Sequence, residues 1–493
     1  MAQLYSELQK RYGRRDGPTR REMLRLTLAG AAGWLLSDRA AWTATQGGRG
    51  RRVLIVGGGF AGLAAAHELS AVGYDVRVFE ARNRLGGRVL SFSDLADGKT
   101  VEGGAELIGT NHPTWLSYAK QFALDFRDVT EEPGDSPIVL EGRRLSAKDA
   151  EALYDELEHA HGALNALASP IDADEPWTSP NAAALDQATV AAWVDEQPVS
   201  ARAKRAMHAE FAADNGVETA WQSHLGNLTQ IKGGGLERYW TETEVYRCRG
   251  GNQQLAMKLA ASLPADRVRL RTAVRRISTT GTTVSIALAD GTIVEGDEVI
   301  LAVPPSVWHT IAFDPPLPPA LRPQMGSNVK FLAVLRSRFW RRAGSTPTLL
   351  SDGPVQLTWE ATDNQPGPGA VLTSFSGGNS ADTCRSWSPS ERANAYLRTL
   401  EVAYPDIAKE FVKARFMDWP GDPWTRASYA FPAPGQITTI GPTLRQGLGR
   451  LHFAGEHTNF AFIGYMEGAL GSGVALARRL ALADGVARRT RDL

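Results

Sequence analysis

The stretch VLIVGGGFAGLAAAHELSAVGYDVRVFEARNRLGGRV, from Val53 to Val89, constrains the fold more than any other part of the chain. It opens on the apolar run Val53-Leu54-Ile55-Val56, the pattern of a parallel strand buried on both faces. Gly57, Gly59 and Gly62 follow in the spacing G-x-G-x-x-G, and a helical run then leads to Gly73. A second apolar strand, Val76 to Phe79, ends at the acid Glu80. Each glycine has its own task. Gly57 permits a tight turn, Gly59 lets backbone approach a pyrophosphate, and Gly62 lets helix and strand pack closely. The helix N-terminus offers unpaired N–H groups and a positive dipole end to phosphates. Glu80 is placed to accept hydrogen bonds from a ribose diol. A dinucleotide-binding unit follows from this context; whether NAD or FAD fills it does not.

The residues directly after Glu80 narrow the choice. Arg82, Arg84, Gly86, Gly87 and Arg88 supply a second flexible, cationic approach to phosphates. This arginine and double-glycine form resembles the post-acid motif of the flavin amine oxidase family, and the resemblance implies FAD. Near the other end, RLHFAGEHTNFAFIGYMEGALGSGVALARRLA runs from a short strand, Leu451 to Ala454, through Gly455-Glu456 into a helix rich in small residues (Gly468, Ala469, Gly471, Gly473). Small side chains at a helix start let backbone N–H groups approach a ligand that gains negative charge. The segment is similar to the family's closing motif. There the resemblance makes Glu456 the ligand of the ribityl chain and sets Met466 and Glu467 near the flavin's pyrimidine edge. Over all the matching motifs it assigns the cofactor to Gly57, Gly59, Ala61, Gly62, Glu80, Ala81, Arg82, Gly86, Gly87, Arg88, Gly104, Ala105, Glu106, Val274, Gly455, Glu456, Tyr465 and Met466.

The same resemblance nominates the chemistry. Tyr465, in GYMEGA, stands where monoamine oxidases carry one wall of an aromatic substrate cage. DPWTRASYAFPAPG resembles the matching region of polyamine oxidases and lysine-specific histone demethylases, and sets Tyr429 as the second wall. Two facing rings align an amine through flat apolar walls and ring quadrupoles. Ser428 precedes Tyr429 where covalently flavinylated monoamine oxidases have a cysteine. Serine forms no thioether, so FAD is expected to be non-covalent. Lys330 interrupts the apolar run in MGSNVKFLAVLRSRFW; an ammonium there needs a partner, unless its stem lies along an exposed sheet. The resemblance makes it the family lysine that holds a water near the flavin.

Together these imply oxidative deamination of an amine by hydride transfer to flavin, with dioxygen as acceptor and imine or carbonyl product, ammonia and hydrogen peroxide formed. An L-amino-acid oxidase is the alternative. Snake-type amino-acid oxidases carry an arginine soon after the GG of VEGGAELIGTNHPTW, where this chain has Glu106 and Leu107; Arg249, Arg338 or Arg426 could instead serve a carboxylate. A desaturase or porphyrinogen oxidase shares the first motif without needing the tyrosine pair and Lys330, and a nicotinamide dehydrogenase has no use for the FAGE segment. A flavin-binding scaffold without activity would leave its flavin unreduced by substrate. Of the tryptophans, Trp115, Trp240 and Trp359 suit a bulky pocket, although packing is the commoner use of such residues.

The fold class expected is α/β with α+β: a Rossmann-like FAD-binding domain interwoven with a discontinuous substrate-binding domain. The first takes residues 47–129, 248–310 and 445–493. The second takes 130–247, largely helical, and 311–444. Residues 1–46 read as export signal and linker, because Thr19-Arg20-Arg21 and Met23-Leu24-Arg25 precede an apolar run from Leu26 to Leu36, resembling a twin-arginine signal. That run rises about 16 Å as a helix, short of the roughly 30 Å hydrocarbon core, so no stable membrane span is expected. Export to periplasm or medium follows from the signal; without it the protein is cytoplasmic. Lys plus Arg equals Asp plus Glu at 54 each, giving no field for nucleic acid. Cys248 and Cys384 fall in no metal-binding spacing, and whether they are bridged is open, as is a homo-oligomer.

Overall fold

In the computed structural model, residues 2–13, 50–130 and 132–486 are described. The arginine pair and the apolar run of the export signal lie outside them. The nucleotide-binding sheet has five parallel strands in the order Leu451–Phe453, Glu298–Leu301, Arg52–Val56, Asp75–Phe79 and Val268–Arg269. Three distant stretches of chain thus build one sheet. Its middle strand, Arg52–Val56, is buried from Val53 onward, which is why its sequence is continuously apolar.

Helix Phe60–Ala71 follows the glycine turn, and the carboxyl-terminal helix Met466–Ala483 packs along it. A Cβ on Gly473 would meet Ala61 O at 2.3 Å, so the two helix backbones touch through this glycine. A Cβ on Gly468 would meet Phe462 O at 2.1 Å. Gly468 and Gly473 thus serve close packing, while Ala469, at the start of the same helix, lines the cavity described below.

A second sheet of seven strands runs Phe411–Asp418, Asn328–Leu335, Ala370–Gly377, Leu357–Glu360, Leu349–Ser351, Ile138–Leu140 and Arg143–Arg144. Helix Ala201–Asn215, which stops at left-handed Gly216, packs on it, and helix Ala147–Ala168, whose N-cap Ser146 accepts the Asp149 N–H, packs against that helix. Strand Ala312–Asp314 pairs with Val274–Thr279 in a separate four-stranded sheet. The flavin-side sheets therefore extend past residue 310, because that strand completes a ladder begun on their side. Both cysteines are free and buried, which settles the bridge left open.

The segment before the arginine pair holds a helix, Ala2–Tyr12, where a signal and linker were expected. Tyr5 lies 4.5 Å from His161 and 5.8 Å from Tyr154, centroid to centroid, and Leu8 is buried beside them. Lys10 Nζ donates to Thr130 O at 2.7 Å.

Candidate active site

One cavity runs from the glycine turn to the seven-stranded sheet. At its nucleotide end Gly57 has φ +112°, and a Cβ there would meet Ala302 O at 2.7 Å. Only glycine takes that turn without strain. A Cβ on Gly59 would meet nothing nearer than Gly87 Cα at 4.0 Å, so the two glycine loops face each other across an open slot. Gly62 lies behind the cavity wall, where a Cβ would meet Gly57 O at 2.1 Å, and takes the packing role rather than contact. Of the residues nominated for cofactor or catalysis, Gly62, Arg84 and Glu467 do not line the cavity.

Glu80 is buried, and its carboxylate accepts N–H groups from Gly58 and Arg82, both at 2.8 Å. An ionised carboxylate has about four acceptor sites, so capacity for a diol remains. The Arg82 guanidinium donates to Asp422 and Thr425, whereas Arg84 turns to Leu85 O and Val89 O away from the cavity. Arg88 Nη1 donates at 2.8 Å both to Glu456 Oε1 and to Ser428 O.

Glu456 has a wider set of partners than a ribityl ligand needs. It also accepts from Ala430 N at 3.2 Å and from Gly464 N at 2.9 Å. Those two amides adjoin Tyr429 and Tyr465, so one carboxylate ties both tyrosine segments to Arg88. Glu467 does not reach the cavity. It accepts from Thr114 N at 2.8 Å and Trp115 N at 2.9 Å, capping helix Pro113–Phe122, whose first N–H groups lack internal partners.

Tyr429 and Tyr465 line the same cavity. Burial raises both phenols well above their ordinary range, so both stay neutral. Tyr429 OH donates to Asp214 O at 2.5 Å, which fixes its ring. Ser428 Oγ is buried with no hydrogen-bond partner among the described residues.

Lys330 is not an exposed strand lysine. It is 5% exposed, and its Nζ donates to Gly104 O at 2.8 Å and to Glu106 Oε2 at 2.6 Å, 5.3 Å above the Trp359 ring. Glu106 also takes the Arg247 Nε–H at 2.7 Å. Burial would raise this carboxyl, but Lys330 and Arg247 together hold it below its usual range. Trp359 lines the cavity, while Trp115 and Trp240 are fully buried packing residues. Arg249 binds Phe126 O, Arg338 pairs with Glu360 and Arg426 meets His309; none of them lines the cavity.

Glu210, Gln230 and Glu244 line the substrate end and were not anticipated. Glu210 had a signal in the sequence, since it continues the apolar stripe Ala203, Ala206, Met207 of its helix. Gln230 and Glu244 carried none, being ordinary polar residues by spacing.

Residues 60–481 match the family described as flavin containing amine oxidoreductase. The chain belongs to the flavin-containing amine oxidoreductases. A Mycobacterium tuberculosis protein described as a flavin-containing monoamine oxidase is 31% identical over 452 residues, 87% of this chain and 96% of its own length. The solved structure of cyclohexylamine oxidase from Brevibacterium oxydans IH-35A superposes with a TM-score of 0.80 at 27% identity, over 88% of this chain and 99% of that one. A double mutant of putrescine oxidase gives 0.80 at 28%, over 87% and 98%. This amine oxidase is FAD-dependent, and its cradle fits the group: facing glycine loops, the spare acceptor sites of Glu80 and the orphaned Ser428 hydroxyl all line one slot.

Proposed function

We propose that this amine oxidase acts on an amine without an α-carboxylate and holds FAD non-covalently. The observation that carries the substrate reading is the pairing of every cationic side chain on the cavity wall. Arg82 is committed to Asp422, Arg88 to Glu456 and Lys330 to Glu106. A carboxylate entering this cavity would find no uncommitted cation among the described residues, and desolvating it would be costly. The non-covalent reading rests on Ser428, which offers no thiol.

Bound FAD supplies the acceptor for a hydride equivalent from the amine-bearing carbon. The chain supplies position and environment. Tyr429 and Tyr465, both neutral, flank the amine and exclude water, which favours its uncharged form. Glu456 sets the two tyrosines through Ala430 N and Gly464 N. Lys330, anchored by Gly104 O and Glu106, orients a water at the reacting end. The overall balance is amine, dioxygen and water giving carbonyl compound, ammonia and hydrogen peroxide.

The test is peroxide release by purified enzyme over panels of amines and L-amino acids, with acid precipitation of the same sample. Peroxide from amines alone and a colourless pellet under a yellow supernatant are expected; peroxide from amino acids alone, or flavin retained in the pellet, overturns the corresponding part. We further read residues 1–46 as carrying a twin-arginine export address. Replacing Arg20 and Arg21 by lysine should then retain the protein in the cytoplasmic fraction.

A further inference from the structure

Tyr465 is pinned at both ends of its ring axis. Its backbone is held by the Gly464 N–H, which donates to Glu456 Oε2 at 2.9 Å, and by its own N–H to Phe462 O at 3.1 Å. Its hydroxyl meets that of Tyr239. Neither anchor fixes the plane of the ring, because a phenol turns about the line from Cβ to its oxygen, a torsion with broad wells. The ring packed beside it is His112, 5.6 Å away centroid to centroid and inclined at 66°. The same imidazole stands 5.4 Å from Phe462 at 88°, so it is wedged between the two rings that begin and end one turn.

His112 is fully buried and lies outside the cavity wall. Its Nδ1 takes the Gly109 N–H at 2.9 Å. A backbone amide only donates, so Nδ1 is the acceptor and the proton sits on Nε2. Burial pushes the imidazole down to about 3, which keeps it neutral. The Nε2–H has no hydrogen-bond acceptor among the described residues. Edge-to-face packing against an aromatic ring is the favourable contact left to it. The imidazole is also held in place from behind. Gly109 fixes Nδ1, and Glu467 clamps the following residues at Thr114 N and Trp115 N. Residues 109–115 thus grip residues 462–467 at two points, and the His112 contact is the one made on the Tyr465 ring.

We propose that His112 is a positioning residue for amine oxidation: its imidazole edge sets the plane in which Tyr465 faces the amine, without touching substrate. The inference rests on the reading of Tyr465 as a cage wall. A turned ring presents its edge where the amine needs a flat face, and misplacement of this size is felt in the reacting step.

The readout is the limiting rate of anaerobic flavin reduction per bound flavin, with the amine that bleaches wild type fastest. His112→Asn puts Oδ1 where Nδ1 stood, so the Gly109 N–H keeps its acceptor while the ring is lost. Its limiting rate should fall about tenfold, with a smaller change in the amine concentration that gives half the limiting rate. His112→Phe keeps a ring and loses the acceptor; it should reduce its flavin within about threefold of wild type, whatever stability it gives up. Tyr465→Ala leaves no ring to orient, so adding His112→Asn to it should change the rate by less than about twofold. Counting per bound flavin keeps a partly folded variant readable. A His112→Asn rate equal to wild type, a His112→Phe rate as low as that of His112→Asn, or a full tenfold loss on top of Tyr465→Ala overturns this inference and leaves the cage reading intact. Tyr465→Ala as fast as wild type overturns both.

Discussion

Lys330 Nζ stands 2.6 Å from Glu106 Oε2, and the same carboxylate holds Arg247 Nε at 2.7 Å. Arg247 in turn reaches Asp363 at 2.5 Å. A buried lysine in the apolar strand Asn328–Leu335 is tolerable because this chain of alternating charges neutralises it. Glu106, the residue that departs from the amino-acid oxidase pattern, is also the residue that makes Lys330 possible.

Removing that acid should damage the fold before it damages the chemistry. In Glu106→Leu, Lys330 and Arg247 face each other across a cavity wall with one partner lost. Breaking a buried pair in this way costs about 3–5 kcal/mol. A denaturant or thermal melt of the holoenzyme should show the loss, and an unchanged midpoint would contradict the ion-pair assignment.

Lys330→Met keeps the stem and removes the ammonium. If the lysine orients water at the reacting end, the rate of anaerobic flavin reduction falls by roughly 10²-fold or more while the flavin spectrum of the purified protein is retained. Tyr465→Ala opens the cage and should slow the same step, with Tyr465→Phe much closer to wild type because the ring is kept. Stopped-flow absorbance reads all three.

Stability should fall as the pH rises from about 4.5 to about 7. Burial lifts the Glu102 carboxyl to about 7, against hydrogen bonds from Asn252 N and Ser91 Oγ that favour its charged form. A carboxyl whose folded pKa exceeds its unfolded value adds stability that is complete below about pH 4 and lost as pH rises through about 7, amounting to about 3 kcal/mol. Urea midpoints at pH 5.5 and pH 8 should differ in that sense. Glu102→Gln should flatten the difference, since the amide does not ionise.

The amino-terminal helix should be worth measurable stability. Tyr5 is 7% exposed, between Tyr154, His161 and Trp240. Truncating a buried aromatic to alanine costs roughly 3 kcal/mol. Tyr5→Ala should lower the melting midpoint accordingly, and an unchanged midpoint would mean that the helix does not dock in solution.

What the sequence disclosed about this fold was what depends on near neighbours in the chain. The glycine turn, Glu80 and the run into helix Phe60–Ala71 lie within one unit, so spacing alone carries their meaning. Tyr429, Tyr465 and Lys330 were reached through resemblance, because strands far apart in sequence bring them to one cavity. Glu244 and Gln230 were missed for the same reason in reverse. Their solvent-like composition hides a position that only the packing of helix His224–Gly233 and strand Tyr246–Cys248 creates. Glu467 was misjudged because its proximity to Met466 in sequence says nothing of which neighbouring helix it caps. Helix Ala2–Tyr12 escaped notice because its anchors, Tyr5 and Leu8, find their partners more than a hundred residues away.

The most direct measurement is anaerobic titration of the purified yellow protein with an amine while flavin absorbance is recorded. The account predicts complete bleaching at one equivalent of amine per flavin, no bleaching by L-amino acids, and recovery of colour when air is admitted. A protein that purifies without flavin, or whose flavin is bleached by L-amino acids and untouched by amines, would contradict it.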